Sequence, residues 1–106
     1  VDCAAWGGAD LGEAFRTGFV TDVPTLLAQG TWDMNTPYEN ATDLLPAFRT
    51  HTFLTIEGGS HGAIREAGES IEGFDAAFHR WFATGDLSQL PERIVLPPLE
   101  WEAPEE

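Results

Sequence analysis

Val23-Pro24-Thr25-Leu26-Leu27-Ala28-Gln29 is a short, nearly continuous apolar run that stops at Gly30, the pattern of a strand buried on both faces. Pro24 stands at its start, where the missing N–H does little harm. After a loop, Thr36-Pro37-Tyr38-Glu39 combines three helix-start signals: a hydroxyl N-cap, a proline at the first helical position, and a glutamate three residues after the cap. These predict a helix from about Pro37 to Leu45 that stops near Pro46. Thr50 to Glu57, with Phe53-Leu54-Thr55-Ile56 inside it, is β-branched and aromatic enough to be the next strand. Strand, crossover helix and strand make a βαβ unit, which implies parallel pairing and a right-handed connection. Parallel strands need both faces covered, so two of them predict a sheet that continues with strands from elsewhere.

Around this unit the 106 residues divide into a Gly- and Ala-rich lead-in (1–22), the strand-helix-strand-helix body (23–85) and a Pro-rich, acidic tail (86–106). In the lead-in, Leu11, Ala14, Phe15 and Phe19 suggest a helical face broken by Gly12 and Gly18. In the body, a turn at Gly58-Gly59 leads to a helix whose Phe74, Ala77, Phe78, Trp81 and Phe82 recur as one wide apolar face, stopped by Thr84 and Gly85. Such a face most simply packs against the sheet. In the tail, Pro91, Pro97, Pro98 and Pro104 surround Ile94-Val95-Leu96, a segment expected to lie extended over the body or to trail from it.

Acids outnumber bases by 18 to 5, for a formal net charge of -13, and every base is arginine. Such a surface repels phosphate backbones and anionic bilayers, so neither nucleic acid nor membrane is expected as a partner. No apolar run approaches the ~18 residues that span a bilayer, and no charged-then-apolar stretch opens the chain as a signal peptide does. Cys3 is the single cysteine, which excludes an internal disulfide and a cysteine-based zinc site. The chain opens on Val1 rather than methionine, which suggests a processed or partial chain.

Two polar residues occupy the loops after the two strands: Asp33 in Gly30-Thr31-Trp32-Asp33-Met34-Asn35-Thr36-Pro37, and His61 in Gly58-Gly59-Ser60-His61-Gly62. Loops at the carboxyl ends of neighbouring parallel strands open on one edge of the sheet, so the two side chains can converge. An acid beside an imidazole is the pair that nucleophilic hydrolysis requires: the carboxylate fixes the ring's tautomer while the other nitrogen takes a proton from a nucleophile. The plainer readings are that Asp33 closes a turn and His61 is a solvent-facing loop residue. Thr36 is the better helix cap, which removes the turn-closing role from Asp33.

The His loop also fits G-x-S-x-G, the nucleophile elbow, with Ser60 as nucleophile. The acid and histidine that should follow it could come only from Asp75, Asp86 and His79, and Asp75 and His79 lie one turn apart on a single helix. His61 is therefore the preferred working residue of that loop. Metal chemistry has little support, because there is no H-E-x-x-H and His51, His61 and His79 fall in different elements.

The order strand, G-x-x-D-x-x-T-P, helix, strand, G-G-x-H-G, helix resembles the last third of the α/β-hydrolase fold. More narrowly, Cys3-Ala4-Ala5-Trp6, the Pro24 to Pro37 stretch and Ile56 to Gly62 are similar to the C-terminal region of tripeptidyl aminopeptidase-like serine hydrolases, relatives of the prolyl aminopeptidases. The resemblance covers about residues 1 to 84. It implies Asp33 as triad acid, His61 as triad base, and a nucleophilic serine, elbow and oxyanion hole in an upstream part of the same hydrolase. It further implies a peptide or ester substrate, an acyl-enzyme and no cofactor, with this segment inactive by itself. In such relatives the equivalent of Cys3 often joins a second cysteine, for which this chain has no candidate; together with the family this suggests a secreted or periplasmic parent. The rival expectation is a non-catalytic α/β interaction module that docks through its apolar helix face, with Asp33 and His61 incidental.

Overall fold

The computed structural model describes residue 7 and residues 9–100. The Cys3-Ala4-Ala5-Trp6 stretch and the residues after Glu100 lie outside the described residues. In chain order the elements are α1 (Glu13–Arg16), β1 (Thr25–Gly30), α2 (Tyr38–Leu44), a 3-10 turn (Leu45–Ala47), β2 (His51–Glu57), α3 (Ala63–Ser70), α4 (Phe74–Thr84) and β3 (Arg93–Val95). The three strands form a parallel sheet in the order β1-β2-β3. Thr25 pairs with His51 and the register runs unbroken to Gly30 opposite Ile56, as the βαβ pattern requires.

The alternation of side chains along a strand sorts the core. Leu26 and Ala28 of β1, Leu54 and Ile56 of β2 and Ile94 of β3 share a face with Ala63, Ala67 and Phe74 of α3 and α4, and Leu54 and Ile56 are fully buried there. The opposite face carries Phe53 and Thr55, against which α2 lays Tyr38. Its ring meets Phe53 edge-on at 5.5 Å and its hydroxyl lies 2.7 Å from the Thr55 hydroxyl. The central strand is thus the one covered on both sides. β1, read from sequence as buried on both faces, is only half-buried until Gly30.

The structure departs from the sequence reading elsewhere. The crossover helix begins at Tyr38, and Thr36 does not cap it. Its hydroxyl donates instead to the Asp33 carboxylate at 2.7 Å, a charge-assisted bond that outcompetes a neutral cap. The lead-in helix shrinks to the single turn α1, since Thr17 is already extended, and Leu11, Phe15 and Phe19 are exposed. α3 was not anticipated as a separate helix. It packs closely on α4 through Gly68, where a Cβ would stand 2.5 Å from Oδ1 of Asp75. The Pro-rich segment joins the sheet: Arg93, Ile94 and Val95 pair with Thr55, Ile56 and Glu57. α4 ends at Gly85 in the left-handed conformation, as the sequence indicates. Its apolar face is divided. Phe74 is buried and stacks on Phe78, while Phe82 is largely exposed. Among the described residues no helix is long and apolar enough to cross a membrane.

Candidate active site

Asp33 and His61 extend from the carboxyl ends of β1 and β2, and the backbone laces their loops together. The Thr31 amide donates to the Ile56 carbonyl at 3.0 Å, the Trp32 amide to the Gly59 carbonyl at 2.9 Å, and the Gly58 amide to the Thr31 hydroxyl at 3.0 Å. This approach requires glycine at position 30, because a Cβ there would stand 2.2 Å from the Gly59 carbonyl oxygen.

The Asp33 carboxylate sits in a cradle of donors. Oδ1 accepts the amides of Asn35 and Thr36, each at 2.9 Å, so Asp33 does close the turn before the helix, contrary to the expectation that a Thr36 cap would relieve it of that role; Oδ2 accepts the Thr36 hydroxyl at 2.7 Å and Nε2 of Gln29 at 3.0 Å. Gln29 also donates to the Thr36 carbonyl, tying strand end to loop. Nδ1 of His61 completes the set, 3.0 Å from Oδ2 and 3.2 Å from Oδ1. The Asp33 side chain is 5% exposed and that of His61 61%.

An ionised carboxylate only accepts, so the proton between the two groups belongs to Nδ1, and in the neutral ring Nε2 carries the lone pair. Nε2 has no hydrogen-bond partner among the described residues. His61 and Asp33 border an open cleft of about 430 Å³, whose lining includes Ile64, Arg65, Phe78 and His79.

The Thr36 amide is the main reason the Asp33 carboxyl is held well below the usual carboxylate range. Burial opposes it, and the Thr36 hydroxyl, His61 and the Asn35 amide add to it. A depressed folded value means that the unfolded chain binds the proton more readily, so this group stabilises the fold above its ordinary value of 3.8 and loses that contribution as pH falls below it. Acid unfolding should therefore have a shallower stability loss below that pH in Asp33→Asn than in wild type, read from denaturation midpoints across the acid range. Parallel acid limbs would contradict the cradle.

Ser60 is engaged differently. Its hydroxyl donates to Oε1 of Glu66, its amide donates to Oε2 at 2.8 Å, and the hydroxyl oxygen accepts the Gly62 amide at 3.2 Å. It faces a carboxylate, not an imidazole, which leaves the elbow reading without the base it needs. His51 places Nδ1 against the Phe48 carbonyl, Asp75 turns toward Gly68, and among the described residues no group of three or more His, Cys, Asp or Glu side chains is placed to hold a metal ion. Sequence reasoning did not single out Gln29, Thr36 as a carboxylate donor, or Glu66. A lone amide within an apolar strand was the available signal for Gln29.

No curated protein and no solved structure matches the chain. Residues 1–92 match the family model described as TAP-like protein, a span that takes in both loops and reaches the threshold of β3. The chain therefore belongs to the TAP-like protein family, as the C-terminal region of a tripeptidyl aminopeptidase-like α/β-hydrolase.

Proposed function

We propose that this chain supplies the acid and the base of a Ser-His-Asp triad in a serine hydrolase, Asp33 as acid and His61 as base, with the nucleophilic serine contributed by an upstream part of the same hydrolase. The observation that carries the reading is one pairing: Nδ1 of His61 lies 3.0 Å from a shielded carboxylate, while His61 itself lines the open cleft.

In this scheme the serine oxygen adds to the carbonyl carbon of an amide or ester, and its proton passes to Nε2. The resulting imidazolium is stabilised by Asp33, which stays ionised. Collapse of the tetrahedral intermediate breaks the bond to the leaving amine or alcohol, which departs with the proton from Nε2. Water then adds to the acyl-enzyme, gives its proton to Nε2, and the serine leaves reprotonated. No cofactor enters. Substrates are peptides, with a free amino terminus as the family resemblance implies, or esters.

Treating the complete hydrolase with a fluorophosphonate probe and locating the adduct by mass spectrometry tests the reading. The label should fall on a serine outside these 106 residues, and the chain by itself should stay unlabelled. A phosphonylated Ser60 would contradict it.

A further inference from the structure

We infer that Glu66 is a positioning residue that holds His61 in its working geometry by clamping Ser60 to helix α3. The inference rests on the triad reading. His61 sits in a loop flanked by Gly59 and Gly62, residues that leave the backbone unusually free. The hydrogen-bond partners of its ring, Asp33 and Thr36, both meet it at Nδ1, and most of the side chain is open to solvent. Something must limit the loop.

Glu66 is placed to do so from the first turn of α3. One carboxylate oxygen accepts the Ser60 amide and the other its hydroxyl, while the Ser60 hydroxyl oxygen takes the Gly62 amide. The Ser60 carbonyl accepts the Ala63 amide at 3.1 Å, and the Gly62 carbonyl accepts the Glu66 amide at 3.1 Å. The residues on both sides of His61 are thereby tied to one carboxylate and the helix that carries it. Bonds to an ionised acceptor are stronger than neutral ones, and those from Ser60 hold the Glu66 carboxyl below its ordinary range. The serine that mimics a nucleophile elbow in the sequence serves, on this account, as the handle by which the helix grips the histidine loop.

Steady-state kinetics of Glu66→Ala, Glu66→Gln and Ser60→Ala in the complete hydrolase, beside His61→Ala, test the inference. Glu66→Ala should lower kcat by roughly ten- to a hundredfold while KM stays nearly unchanged, because a small misplacement of a reacting group slows the chemical step more than it weakens binding. Glu66→Gln should recover most of the rate, since its amide oxygen still accepts the Ser60 N–H and its NH2 donates to the Ser60 oxygen. Ser60→Ala removes only the hydroxyl bonds at an exposed position, and should lower kcat severalfold even if Glu66→Ala fails to fold. A Glu66→Ala enzyme with wild-type kcat, a Gln variant as slow as the Ala variant, or a Ser60→Ala enzyme with full kcat would each overturn the clamp. With His61→Ala inactive, those results refute the clamp alone; wild-type turnover in His61→Ala would refute the triad reading and the clamp with it.

Discussion

His61→Ala in the complete hydrolase should lower kcat by about a thousandfold or more and leave the melting temperature nearly unchanged. The two halves of that expectation have separate grounds. The imidazole is the group proposed to move the proton in both half-reactions, so without it only binding and oxyanion stabilisation remain. Its side chain is mostly exposed, and its deletion strips no core contact. Asp33→Asn should cost a comparable factor, up to about ten-thousandfold, because an amide cannot accept every bond that the carboxylate accepts and presents a donor toward Nδ1, which favours the wrong tautomer. Asp33→Ala should be both inactive and less stable, since the half-buried Gln29 amide and the Thr36 hydroxyl lose the carboxylate that accepts from them. The kinetic measurement is kcat and KM on a chromogenic peptide or ester substrate, with thermal unfolding recorded on the same samples. Wild-type turnover in His61→Ala and Asp33→Asn would end the account.

Gly30→Ala should lower kcat by about a hundredfold, although residue 30 carries no chemistry. The added methyl would stand 2.2 Å from the Gly59 carbonyl oxygen and 2.6 Å from that of Ser60, distances that no side-chain carbon tolerates. The obstructing atoms are backbone, so relief requires the His loop to move away from β1. That movement strains the Trp32 amide bond to Gly59 and withdraws His61 from Asp33. Overpacking of this kind commonly costs about 1–3 kcal/mol of stability as well. The effect separates a rigid two-loop site from one that adapts: a Gly30→Ala enzyme of normal kcat would show that the loops need not touch.

The βαβ unit is legible in the sequence because its residues obey two independent rules. Val23 to Gln29 is a nearly continuous apolar run and Thr50 to Glu57 a β-branched and aromatic one, both of strand length, and Gly30 and Gly58 mark where both strands give way to loops. Once both strands run parallel, Asp33 and His61 must emerge on one edge, so their meeting follows from topology rather than from any local motif. The elements that escape the sequence have physical reasons too. α3 buries mainly Ala63 and Ala67 and carries Gly68 in its middle, so it has neither the bulk nor the propensity that announces a helix. β3 has three residues between Pro91 and Pro97 and exists by pairing with β2. Thr36 carries cap chemistry, but a nearby carboxylate offers its hydroxyl a stronger bond than the helix does. Ser60 and Glu66 stand six residues apart across a helix start, outside any capping-box spacing, so their contact is visible only in three dimensions.

A double-mutant cycle on kcat, comparing Asp33→Asn, His61→Ala and the two combined in the complete hydrolase, tests the central pairing most directly. If the carboxylate works through the imidazole, the double variant is no slower than His61→Ala alone, because the acid has nothing left to orient. Losses that multiply, or a double variant that retains wild-type turnover, would contradict it.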